Sequence, residues 1–152
     1  MDKDSLRKLI EIEIENLERL VDENIIITDR FTDKPDFIEI RAAGSILHDF
    51  YCAVEKIFKR ITIYINNDLP DGEDWHTELL LQMTRPIEKT HKAVISRELL
   101  EKLKEYLRFR HLFRNIYGFE LNWERFKDLS LSLNAVLDEL KDNLNKFIDD
   151  FK

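Results

Sequence analysis

Glycine and proline are scarce in this chain, 3 of each in 152 residues, so few tight turns are available to it. A sandwich or barrel needs a turn every ten or so residues, roughly, and the sequence does not provide them. Long helices with few connections are what remains. The apolar residues are spaced accordingly. Between residues 5 and 24, Leu6, Leu9, Ile10, Leu17, Leu20 and Val21 fall three and four apart, with Glu11, Glu13, Glu15, Glu18 and Arg19 between them. That is one apolar stripe on a charged helix. The composition, 43% hydrophobic and 36% charged, is what amphipathic helices packed into a globule require.

Start and stop signals divide the rest. Ile25-Ile26-Ile27 alone competes as a strand and is too short to decide. In Asp33-Lys34-Pro35-Asp36, Asp33 is the expected cap and the proline is tolerated in a first turn, so a helix is expected from about Asp36 to Asn66. Its small residues Ala42, Ala43, Gly44 and Ser45 would let another helix approach closely. The β-branched run Ile61-Thr62-Ile63-Tyr64-Ile65 favours a strand in isolation, but the helical spacing runs into it unbroken. Asn66 to Gly72 reads as a loop, and Glu73 to Met83 as a short helix that Arg85-Pro86 ends. Ser96 caps a helix over Arg97–Tyr117 that Gly118 terminates, and Asn122 caps a last helix through Phe147. The expectation is one domain over residues 1–152: all-α, an antiparallel up-and-down bundle of about five helices.

Several function classes are disfavoured. The single cysteine, Cys52, permits neither an internal disulfide nor a zinc knuckle and is expected to be a buried, inert thiol. The start, Met1-Asp2-Lys3-Asp4, lacks the basic-then-apolar layout of a leader, and no apolar run approaches the roughly 18 residues of a membrane span. A cytoplasmic protein is expected. The net charge of −7 disfavours duplex DNA, although a local basic patch could hold a short single strand. No Gly-rich phosphate loop, serine elbow or paired-cysteine motif appears, and no nucleotide or redox cofactor is expected.

The chemically loaded stretch is Arg108 to Tyr117. On its helix the inward stripe reads Leu99, Leu103, Tyr106, Arg110, Phe113, Tyr117, so Arg110 occupies a position otherwise apolar or aromatic. Burying a guanidinium costs several kcal/mol, roughly, unless it is paired. Either Arg110 pairs with a core-facing Glu or Asp, or it has a task. Around it, Arg114 and Tyr117 share its sector of the wheel, while Arg108, His111 and Asn115 form the adjoining strip. Guanidinium forks match phosphate, and His or Asn can hydrogen-bond a ribose or a phosphate.

The run Arg110-His111-Leu112-Phe113-Arg114-Asn115-Ile116-Tyr117 resembles the signature of HEPN domains, in particular the HepT-like ribonuclease toxins. That signature is Arg, a polar residue, three variable residues, His, and a Tyr two further on. Arg110, His111 and Tyr117 match it, and Asn115 stands where the His belongs. Gly72-Glu73-Asp74-Trp75-His76 and Tyr117-Gly118-Phe119-Glu120-Leu121 are also similar to a HepT-like subgroup, and the likeness covers roughly Arg41 to the C-terminus. The resemblance implies an antiparallel helical bundle that forms a homodimer with two motif helices across a cleft. It implies metal-independent RNA cleavage by the 2′-hydroxyl on the adjacent phosphate. Arg110 would stabilise the phosphorane, and the motif His would assist proton transfer or orient the ribose. It also implies a small nucleotidyltransferase antitoxin of the MntA type that adenylylates Tyr117. Asn115 neither takes up nor delivers a proton near neutral pH, so His111 becomes its candidate substitute. The alternative is a degenerate, non-catalytic helical dimer that binds the nucleotidyltransferase or RNA. A third reading is a dimer with no nucleic-acid role, and it gains if Arg110 is buried and paired within its own chain.

Other polar clusters have plainer readings. Glu73, Asp74, His76 and Glu78 suit a helix N-terminus better than a metal. Trp75 is expected to anchor that helix to the core, and His91 to be exposed. His48 and Asp49, adjacent on a helix, are not expected to form a dyad.

Overall fold

Short polar side chains start most of the long helices of the computed structural model, which describes residues 2–31, 34–65 and 67–150. Helix α1 is Lys3–Asp29, and Asp2 accepts the Ser5 N–H at 2.7 Å. Helix α2 is Phe37–Tyr64, opened by a reciprocal box in which Asp36 accepts the Glu39 N–H at 2.8 Å and Glu39 accepts that of Asp36 at 2.9 Å. The expected cap, Asp33, lies outside the described residues. Helix α3 is Trp75–Gln82. Ser96 caps α4, Arg97–Asn115, through the Leu99 N–H at 3.1 Å. Asn122 caps α5, Trp123–Leu131, and α6 is Leu133–Asp150. Both ambiguous β-branched runs are helical: Ile25 to Ile27 inside α1, and Ile61 to Tyr64 inside α2. None of these helices is long and apolar enough to cross a membrane.

Helix α2 occupies the middle, packed against α1, α3, α4 and α5, while α6 closes on α1. Its inward residues Leu47, Phe50, Val54, Ile57, Phe58 and Ile61 are fully buried, each contributing about 1.5–3 kcal/mol by transfer from water. The expected close approach is at Gly44. A Cβ there would stand 2.9 Å from Leu121 Cδ1 and 3.3 Å from Phe113 Cε2. The 83–96 connection is clamped where the Met83 carbonyl accepts the N–H groups of Val94 and Ile95 at 2.9 and 3.0 Å. Asn143 of α6 accepts the Ser96 N–H at 2.7 Å, which ties the start of α4 to α6.

Two expectations need correction. The last helix is not continuous, because it breaks at Ser132. Tyr106 donates to the Leu129 carbonyl at 2.7 Å, and Asn24 Nδ2 donates to the Ser130 carbonyl at 2.8 Å. Side chains from two other helices thus claim successive carbonyls of the ladder, a recognised cause of helix interruption. The motif helix also ends early, at Asn115, with Ile116 extended at φ −128 and ψ 165. Asn115 Nδ2 donates to the His111 carbonyl at 2.7 Å. A 3-10 turn, Gly118–Glu120, then carries Leu121 back onto Gly44. Tyr117 is therefore off the helix and does not share a face with Arg110.

Candidate functional site

The same argument that singled out Arg110 applies to α2. Along Tyr51, Glu55, Phe58 and Thr62, at steps of four, three and four, every residue is buried, and Glu55 is the charge among them at 4% exposed. In the sequence this carboxylate is one Glu among many. Its position in an apolar stripe was the signal that could have found it.

Two other helices converge on it. Helix α4 brings Arg110, 9% exposed, so that Nε lies 3.7 Å from Glu55 Oε1 and donates to Cys52 Sγ at 3.4 Å. Helix α3 brings His76, whose Nδ1 lies 2.5 Å from Glu55 Oε2. Each carboxylate oxygen thus has its own partner, which is the condition for burying the charge. The Arg110 guanidinium balances the charge of Glu55, so His76 need offer only an Nδ1–H. Its Nε2 makes no hydrogen bond among the described residues. The Trp75 ring lies 3.6 Å from that of His76, and Lys59 Nζ lies over Trp75 at 4.4 Å from its centroid. Trp75 packs on the core, as expected.

Cys52 is half-buried and engaged by Arg110 rather than sealed in apolar surroundings. One turn before it, His48 Nε2 is 3.8 Å from Cys52 Sγ, and the ring of His48 is 5.1 Å from that of Phe113. His48 Nδ1 also lies 3.4 Å from Asp49 Oδ1, closer than adjacent helical positions led us to expect. Burial holds the Tyr51 phenol far above its ordinary range; the negative Glu55 adds to this and Arg110 opposes it.

A groove of 460 Å³ opens between α3 and α4 beside this cluster, lined by His76, Arg110, His111, Arg108 and Lys104 together with Glu73, Asp74, Thr77 and three leucines. Arg110 and His76 form the boundary between the buried cluster and this groove. A larger hollow of 860 Å³ at the far end, near Tyr64, Arg85 and Lys89, holds none of the motif residues. The motif residues Arg108, Arg110 and His111 line the smaller groove.

The expected site residues divide. Arg108, Arg110 and His111 share the groove, and Arg108 is also tied to Glu105 one turn away at 2.5 Å. Arg114, Asn115 and Tyr117 are exposed and are not among the residues lining it. Tyr117, 71% exposed, stacks on Phe119 with ring centroids 5.2 Å apart and planes at 6°. His76, set down as helix-terminus chemistry, belongs to the groove. His91 is exposed, as expected.

The sequence model of a family described as HepT-like protein matches residues 42–151, which takes in most of α2, α3 and the whole motif helix. No curated protein and no solved structure matches the chain significantly.

Proposed function

This chain belongs to the HepT-like family, and from that premise we propose that it is a toxin-type HEPN protein cleaving RNA as a metal-independent endoribonuclease. The observation that carries the reading is that Arg110 and His111, consecutive in the motif, line one groove together with two further cations, Lys104 and Arg108. The substrate's 2′-hydroxyl attacks the adjacent phosphorus, the bond to the 5′-oxygen breaks, and a 2′,3′-cyclic phosphate and a 5′-hydroxyl result. Arg110 stabilises the charge that grows on the phosphorane oxygens, and its attachment to Glu55 through Nε means no reorganisation at that moment. His111, exposed at the groove, is a proton-transfer group. Arg114 and Asn115 lie outside the groove at the end of α4, where the Asn115 amide holds the His111 carbonyl and Arg114 adds positive charge. A homodimer would set two such helices across one cleft.

The reading of a dimer with no nucleic-acid role has an observation of its own: Arg110 is buried and paired with Glu55 inside its own chain. The degenerate reading keeps the fold and binds a nucleotidyltransferase or RNA without cutting. The exposed Tyr117 hydroxyl fits either reading as a site that a partner enzyme could adenylylate.

Labelled RNA in EDTA decides between them, with wild type, His111→Ala, Asn115→His and Arg110→Ala compared and folding checked by circular dichroism. Cleavage by wild type, with a cyclic-phosphate product lost in Arg110→Ala, supports the nuclease. Cleavage only by Asn115→His makes the natural chain a binding module. If neither cuts while both stay folded, the ribonuclease reading fails.

A further inference from the structure

We infer that His76, oriented by the buried Glu55, is a second proton-transfer group of the α3–α4 groove, taking the place left by Asn115 in the motif. The inference rests on the RNA-cleaving reading and deepens it. Cleavage by the 2′-hydroxyl moves two protons: one leaves the attacking hydroxyl, and one arrives on the departing 5′-oxygen. Attack and departure take place on opposite sides of phosphorus, so two groups on facing walls suit the reaction. His111 stands on the α4 wall and His76 on the α3 wall of the same groove.

The surroundings of His76 are those of an oriented imidazole rather than a surface one. Glu55 Oε2 at 2.5 Å accepts from Nδ1, which fixes the tautomer and leaves Nε2 on the other side of the ring. The side chain is 24% exposed, and the residue lines the groove. Trp75 covers one ring face. Glu55 and, beyond Trp75, Lys59 face it from α2. Lys104, Arg108, Arg110 and His111 face it from α4, and Glu73 and Asp74 from its own side. A core helix does not need a carboxylate at the Glu55 position for packing. Two guests, Arg110 and His76, share it, and both reach the groove.

The bland alternative is that Glu55–His76 only pins α3 to α2. His76→Asn separates the two, because its amide nitrogen stands where Nδ1 does and still donates to Glu55 but transfers no proton. The variant is assayed on labelled RNA across pH, beside wild type, with melting and with binding to a 2′-O-methyl oligoribonucleotide that cannot be cut. We expect unchanged binding and folding, cleavage lower by about 10²–10⁴-fold, and one limb of the rate–pH profile flattened. Cleavage by His76→Asn within a few-fold of wild type overturns the inference and leaves the ribonuclease reading standing. A uniform drop at every pH that tracks a lower melting temperature also overturns it, since a pin alone does that. If wild type itself does not cut, the reading and the inference fall together.

Discussion

Glu55 and Arg110 stand 3.7 Å apart in the interior, each the charged member of the buried stripe on its own helix. Neither position is tolerable alone. Together, and with His76 on the second carboxylate oxygen, they make a buried polar junction that joins α2, α3 and α4.

Removing one partner should therefore cost far more than removing both. Glu55→Ala leaves a guanidinium uncompensated at the edge of the core, a loss of about 3–5 kcal/mol, whereas Glu55→Leu combined with Arg110→Met should be milder than either single change. Urea unfolding of the single and double variants measures this. A double variant whose loss equals the sum of the singles would show that the two side chains do not interact.

The junction between α5 and α6 predicts a second asymmetry. Asn24 donates to the Ser130 carbonyl at 2.8 Å, and the Ser130 hydroxyl donates to Asn24 Oδ1 at 2.9 Å, both buried. Asn24→Ala breaks both bonds and should destabilise by about 1–3 kcal/mol, while Ser130→Ala keeps the carbonyl bond and should cost less. Equal losses in chemical denaturation would contradict the reciprocal pair.

Two phenols should resist ionisation while the fold lasts. Burial raises Tyr51 and Tyr106 well above the ordinary tyrosine value, with Glu55 adding to the effect at Tyr51. The unfolded chain ionises both near pH 10 and the folded chain does not. The stability they confer is thus fully present below about pH 10 and declines as pH rises beyond it. Phenolate absorbance in strong alkali should gain two groups when denaturant is added at constant pH. Full ionisation before unfolding would mean that the two hydroxyls are open to water.

The helical class, the Ser96 and Asn122 caps and the odd placement of Arg110 were all legible in the sequence, because each depends on residues within about one or two turns of one another. The cap of α2 is Asp36, held in that role by the reciprocal bond with Glu39, while Asp33 lies outside the described residues. Tyr117 was put on the motif helix because Gly118 looked like the stop. The helix stops earlier, at Asn115, and beyond the 3-10 turn Leu121 packs against Gly44 of another helix.

Periodicity tells which face of a helix is buried and not which helix lies against it. The sequence by itself thus determined that this chain is all-helical, where most helices start, and that a guanidinium would sit among apolar groups. Only the tertiary structure decided that Glu55 is its partner, that His76 shares the carboxylate, and that α5 and α6 part at Ser132. Those outcomes rest on contacts between residues on different helices. The pairing is selected by the cost of leaving a charge or a carbonyl unsatisfied inside, a cost no local pattern records.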